Sequence, residues 1–78
     1  MKTVQISLNS IDKVKNFVNA ITAFDFDFDL ISGRYVIDAK SIMGIFSLDL
    51  SKPIDLAIHS EEEVAEIMEV IKPYIIEE

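Results

Sequence analysis

The sequence predicts one α+β domain in which an antiparallel sheet of four strands carries three helices on one face. Stretches with alternating apolar and polar residues indicate strands that have one buried face, and apolar residues that recur every three or four positions indicate helices. These stretches follow each other in the order β-α-β-β-α-β-α along the 78 residues. Because each predicted strand has one polar face, we expect all three helices to cover the opposite face of the sheet.

The first strand and the first helix are predicted from the opening residues. Residues 3–8 alternate, and their apolar side chains are Val4, Ile6 and Leu8. Either Asn9 or Ser10 can then cap a helix, because both side chains can accept a hydrogen bond from a free backbone N–H. The predicted apolar stripe of this helix consists of Ile11, Val14, Phe17, Val18 and Ile21.

A β-hairpin is predicted next. Residues 24–31 alternate again, with Phe24, Phe26, Phe28 and Leu30 on the buried face and Asp25, Asp27 and Asp29 on the solvent face. The dipeptide Ser32-Gly33 is a turn signal, and residues 34–39 are expected to form the returning strand.

The second half of the chain continues with a short helix, a strand and a last helix. Ser41 precedes the apolar residues 42–48, which predict a short helix although Gly44 weakens it. A break at Ser51-Lys52-Pro53 precedes a fourth strand, marked by Ile54, Leu56 and Ile58. Ser60 and Glu63 form a capping-box pattern, which would place three glutamates in the first turn of the last helix. Its expected core residues are Val64, Ile67, Met68 and Ile71, and Pro73 should end or kink it.

The composition excludes several classes of function. Seven Lys and Arg stand against fourteen Asp and Glu, so the surface should repel the phosphates of nucleic acids and of anionic lipids. No apolar run approaches the roughly 20 residues of a membrane span, and the start of the chain does not resemble a signal peptide. With no cysteine either, we expect a cytoplasmic protein that begins at residue 1 and has no direct nucleic-acid or membrane partner.

Residues able to perform chemistry are few. Asp25, Asp27 and Asp29 would lie nearly 7 Å apart along a strand, too far apart to surround one calcium ion. His59 is the only histidine, so no His-His or His-Cys ligand set exists. It is also the only imidazole that could serve as the base for a serine nucleophile, and nothing in the sequence resembles a nucleophile elbow. The two glycines cannot form a phosphate-binding loop of the known kinds. We therefore predict no catalytic residues, no metal and no cofactor, and hence no enzymatic activity.

One segment, residues 40–48, combines a serine at a helix start with more large apolar residues than a short helix can bury. In one interpretation Ser41 is only a helix cap and Ile42, Met43 and Phe46 belong to the core. In the other, Ser41 is a phosphorylation site, since helix N-termini favour anions, and the apolar residues face a partner.

This segment resembles the regulatory-serine motif of HPr, the phosphocarrier of the bacterial sugar phosphotransferase system. The similar residues are Lys40-Ser41-Ile42-Met43-Gly44 and Ser47-Leu48, and HPr proteins also have the element order predicted above. The resemblance implies an HPr-like open-faced sandwich. It also implies that Ser41 is a substrate of HPr kinase, and that Lys40, Ile42, Met43 and Phe46 bind a protein partner.

The chain departs from HPr at the phosphocarrier site. With Phe17-Val18 as the anchor, Ser10 occupies the position of the family's phosphorylated histidine and Asp12 that of its arginine. A phosphohistidine requires a ring nitrogen as the nucleophile, and His59 should lie near Thr3, at the opposite end of the sheet. Asp49 and Pro53 also stand where the family commonly has glycine.

The pattern of a retained serine and an absent histidine resembles Crh, the HPr paralogue of catabolite repression. Crh in its serine-phosphorylated form is a corepressor of CcpA, a LacI-type transcription regulator. Our leading hypothesis is therefore an HPr-like regulatory or interaction module that carries phosphate on Ser41. The alternatives are an HPr-like adaptor that is never phosphorylated and a divergent phosphocarrier of the sugar phosphotransferase system.

Overall fold

The computed structural model, which describes residues 2–76, contains one antiparallel sheet of four strands in the order β1-β4-β2-β3. The strands are β1 (Lys2–Ile6), β2 (Asp27–Ser32), β3 (Tyr35–Asp38) and β4 (Ile54–His59). The helices are α1 (Ile11–Thr22), α2 (Ile42–Ile45) and α3 (Val64–Ile71), and a 3₁₀ helix spans Lys72–Tyr74. The predicted fold class and element order are confirmed.

The register of the sheet places the apolar strand residues on one face. Val4 pairs with Leu56, which pairs with Leu30 on its other side, and Leu30 pairs with Ile37. Together with Ile6, Phe28 and Ile58, this face packs against the buried side chains of the three helices. The opposite face carries Gln5, Asp55 and Ile31 in one row, and no helix formed by residues 2–76 covers it. The sheet is therefore half-buried, as the alternation predicted.

The hairpin between β2 and β3 has a two-residue turn. Ser32 pairs with Tyr35, so Gly33 and Arg34 form the turn, and Gly33 has a φ of 61°. A positive φ at the first turn residue is typical of a type II′ turn, a geometry that suits the twist of a hairpin and favours glycine. The turn signal at Ser32-Gly33 is confirmed.

Two expectations about the first half of the chain are wrong. Ile11, the first residue of α1, is 61% exposed, because the buried stripe of the helix begins only at Val14. Strand β2 begins at Asp27, so Phe24 and Phe26 precede it and are only partly buried.

The start of α3 also differs from the prediction, because Ser60 does not form a capping box. Its hydroxyl oxygen accepts a hydrogen bond from the Glu62 backbone N–H at 3.0 Å, which closes a local turn before the helix. The residue before the helix is Glu63, with a left-handed φ of 55° and no side-chain hydrogen bond to the helix. The three glutamates 61–63 therefore precede α3, and only Glu66 lies in its first turn.

Residues 74–76 pack along β1. The α-helix ends at Ile71, as Pro73 led us to expect, and Pro73 itself lies in the 3₁₀ helix that follows. Ile75 then forms a β-bridge with Ile6. The Ser7 N–H donates to the Tyr74 carbonyl, and the Ile76 N–H donates to the Gln5 carbonyl. Among the helices of residues 2–76, none has the length and the apolar character that a membrane crossing requires.

Candidate functional site

Ser41 is an exposed residue at the start of α2. Its hydroxyl oxygen accepts a hydrogen bond from the Gly44 N–H at 3.3 Å, so the predicted helix cap is confirmed. A side-chain carbon added at Gly44 would lie 3.2 Å from the Ser41 hydroxyl oxygen, which is a tight contact, and 3.5 Å from a methyl carbon of Ile37, which is an ordinary van der Waals distance. The glycine that weakens the helix thus leaves room for the Ser41 hydroxyl at its start.

The apolar residues of α2 divide between two environments. Ile45 is fully buried and belongs to the core. Met43 is 82% exposed, Phe46 40% and Ile42 36%, so these three side chains form the surface that we call the α2 patch. The alternative in which Ile42, Met43 and Phe46 are all core residues is wrong, because a helix of four residues can turn only one side toward the sheet.

Lys40 has a different environment from the one expected. Its ammonium nitrogen donates a hydrogen bond to the Phe24 carbonyl at 2.6 Å and lies 5.6 Å from the centre of the Phe28 ring. The Lys40 side chain thus ties the segment before β2 to the segment before α2.

The position that corresponds to the phosphocarrier histidine carries only a helix cap. The Ser10 hydroxyl oxygen accepts a hydrogen bond from the Lys13 N–H at 3.1 Å, and Asp12 is exposed in the first turn of α1. Within residues 2–76, no basic side chain is hydrogen-bonded to Ser10 that could activate its hydroxyl as a nucleophile. His59 ends β4 beside Ile58, whose partner on β1 is Lys2, so it lies at the opposite end of the strands from Ser10, as expected.

His59 has a partner that the sequence did not reveal. Its Nε2 atom is 2.7 Å from a carboxylate oxygen of Asp29 across the β2–β4 pair, and both side chains are about one-third exposed, at 37% and 35%. Asp27, the direct partner of His59 in the register, lies beside this contact. Within the described residues, no three acidic or histidine side chains are arranged to hold a metal ion.

The loop after α2 is ordered around Asp49, which the resemblance identified as a departure from HPr. Its carboxylate accepts hydrogen bonds from the Ser51 hydroxyl at 2.5 Å and from the Ser51 backbone N–H at 3.1 Å. These hydrogen bonds, and more weakly the charge of Lys52, lower the pKa of Asp49 below its ordinary value. The Asp49 side chain therefore stabilises this turn by hydrogen bonds, at a position where HPr proteins commonly have glycine.

The comparison with known proteins supports the HPr resemblance through structure. No protein-family model and no curated protein sequence matches the chain. The crystal structure of HPr-C-His from Thermoanaerobacter tengcongensis superposes with a TM-score of 0.76 at 24% identity, covering 94% of this chain and 89% of that one. The phosphocarrier protein HPr from Bacillus anthracis str. Ames superposes with a TM-score of 0.69 at 27% identity, covering 96% and 94%.

These similarities extend over nearly the whole length of both neighbours, and the shared architecture is the one that the sequence predicted. The four-stranded antiparallel sheet and the three helices of this chain match the HPr fold. The chain therefore has the HPr-like fold.

Proposed function

We propose that this chain is an HPr-like regulatory or interaction module that does not carry phosphate on a histidine. In this proposal Ser41 accepts phosphate from an HPr kinase, and the α2 patch docks on a protein partner such as a CcpA-type regulator. The observation that carries the proposal is the exposure of Ser41 next to three large apolar side chains of one short helix. Exposed apolar residues grouped in this way are typical of protein interaction sites.

The absence of a carrier group favours regulation over phosphoryl transfer. Ser10 and Asp12 occupy the positions where the family has its histidine and arginine. A carboxylate at the second position repels a phosphoryl group that a cation would attract. The only imidazole of the chain, His59, lies at the far end of the strands and bonds to Asp29.

A phosphate on Ser41 would meet free backbone donors rather than a lysine. The N–H groups in the first turn of a helix have no carbonyl partner within it, and at α2 only that of Gly44 is bonded to the serine oxygen. Lys40 stays outside the proposed docking surface, because its ammonium group is bonded to the Phe24 carbonyl. The dianion would add a charge of about −1.5 to −2 beside the α2 patch and so change which partner can approach it.

The proposal is tested by incubating the purified chain with ATP and an HPr kinase, with a Gram-positive HPr as the positive control. Mass spectrometry should find phosphate on Ser41, and Ser41→Ala should abolish it. Ser47→Ala is the matched control and should leave the labelling unchanged, because Ser47 lies in the same segment and is also exposed. If the control HPr is modified and this chain is not, the unphosphorylated adaptor is the better account.

A further inference from the structure

Strand β3 is a free edge of the sheet whose outward surface is apolar. The opposite edge strand, β1, is paired in part with residues 74–76. Within residues 2–76, strand β3 has a neighbour only on the β2 side. Its residues Tyr35 and Val36 are 70% and 61% exposed. This edge is therefore able to accept a further strand.

The hydrogen-bonding pattern tells which backbone groups of β3 face outward. The turn-closing pair is Ser32–Tyr35, and the Ala39 N–H donates to the Phe28 carbonyl at 2.9 Å. In an antiparallel ladder, bonded and non-bonded pairs alternate, so the odd-numbered residues of β3 direct their backbone groups to β2. The backbone N–H groups of Val36 and Asp38 consequently face away from the sheet.

Charged residues at the two ends of β3 lack counter-ions. Asp38 lies directly beside Asp29 in the register, and two adjacent carboxylates on one sheet face repel each other. The His59 ring bonds to Asp29. By contrast, the Asp38 carboxylate accepts only the backbone N–H of Lys40 at 2.9 Å. Within residues 2–76, neither Asp38 nor Arg34 belongs to an ion pair.

We propose that β3 pairs antiparallel with β3 of a second copy of this chain, with Val36 opposite Val36 on the two-fold axis. In this register the outward backbone groups of the two Val36 residues bond to each other. Arg34 of each copy comes opposite Asp38 of the other. The dimer therefore contains two Arg34–Asp38 ion pairs, and each of these charges gains a counter-ion. Tyr35 comes opposite Ile37 on the helix side of the sheet, an aromatic and β-branched pair of the kind that stabilises strand pairing.

The proposed dimer is closed and is compatible with the acidic charge of the chain. An isologous contact uses the same edge of both copies, and the other edge is partly paired, so the assembly stops at two. The net charge of −7 repels a second copy at long range, but this repulsion is screened beyond about 8 Å at physiological salt. The contact itself brings together opposite charges. The dimer is independent of the function proposed for Ser41.

The test is sedimentation equilibrium of the full chain up to about 1 mM, where weak association becomes measurable. The wild type should form dimers. Val36→Pro should stay monomeric with its melting temperature nearly kept, because proline is tolerated on an edge strand but removes the outward N–H. Arg34→Asp and Asp38→Arg should each weaken dimerisation at least about tenfold, and the double variant should restore it.

Matched charge changes away from β3 complete the experiment. Lys15→Asp on α1 and Asp25→Arg before β2 alter the net charge as the two test variants do, and should leave the dimer constant within about threefold. Asp38→Arg makes the acidic chain less negative, so an effect of net charge alone would strengthen the association. The proposed pairing requires that this variant weaken it. A monomer at every concentration, assemblies larger than two, or a dimer that Val36→Pro leaves intact would overturn the proposal.

Discussion

Substitutions on the exposed and the buried side of α2 should change the free energy of unfolding by very different amounts, although the residues lie within three positions of each other. Met43 is 82% exposed and Ile45 is fully buried. Exposed substitutions away from special features change the free energy of unfolding by less than about 0.5 kcal/mol, so Met43→Ser should be nearly neutral. Ile45→Ala removes core methyl groups next to a tightly seated helix, which should cost about 2–5 kcal/mol.

Phe46 provides the intermediate case. Its side chain is 40% exposed, so it is only partly buried. It therefore contributes part of the roughly 1.5–3 kcal/mol of folding stability that full burial of such a side chain provides. We therefore expect Phe46→Ser to cost about 1–2 kcal/mol, more than Met43→Ser and less than Ile45→Ala.

Urea denaturation followed by far-UV circular dichroism measures these changes, with an unchanged slope m as the control for two-state unfolding. A domain of this size has a total stability of roughly 4–12 kcal/mol, so the loss at Ile45 is readily resolved. The division of α2 would be refuted if Met43→Ser cost more than Phe46→Ser, or if Ile45→Ala cost less than either.

Three further predictions concern the rest of the chain. The pKa of Asp49 is lowered from 3.8 in the folded state. The stability that the ionised Asp49 carboxylate contributes is therefore present above pH 3.8 and is lost as the pH falls through the folded-state pKa. Asp49→Asn should accordingly flatten stability against pH in acid denaturation, and an unchanged curve would contradict this. Calcium or magnesium should not raise the melting temperature, and a rise abolished by replacing Asp25, Asp27 and Asp29 with Asn would disprove that expectation. Phosphoenolpyruvate with enzyme I should leave no acid-labile phosphate on the chain, and stoichiometric labelling would establish a phosphocarrier.

Local chemistry was sufficient to predict most of the fold. The Ser32-Gly33 turn, the caps Ser10 and Ser41 and the alternation in β1 depend on interactions between residues close in sequence, and the structure bears them out. The capping box failed because the Ser60 hydroxyl forms its hydrogen bonds with the Glu62 backbone, two residues away, and not with the helix.

Features that depend on distant contacts could not be predicted. The Lys40 ammonium group reaches a carbonyl sixteen residues away, and the His59 ring reaches a carboxylate thirty residues away. Periodicity placed Ile11 in the apolar stripe, but only the packing of the first turn of α1 decides that it is exposed. Similarly, the sequence indicated that a short helix could not bury all of its large apolar residues, which include Ile42, Met43 and Phe46. Which of the apolar residues of this segment are exposed depends on the packing of α2 against the core, where Ile45 is fully buried.

The central claim is that phosphate on Ser41 selects the partner of the α2 patch, and a binding measurement tests it most directly. Phosphoserine can be incorporated at position 41 during synthesis, and the two forms titrated calorimetrically with a CcpA-type regulator. We predict that the phosphorylated form binds at least about tenfold more tightly, a difference of about 1.4 kcal/mol, and that Met43→Ser removes most of this gain. Equal affinity of both forms, including no binding by either, would contradict the account.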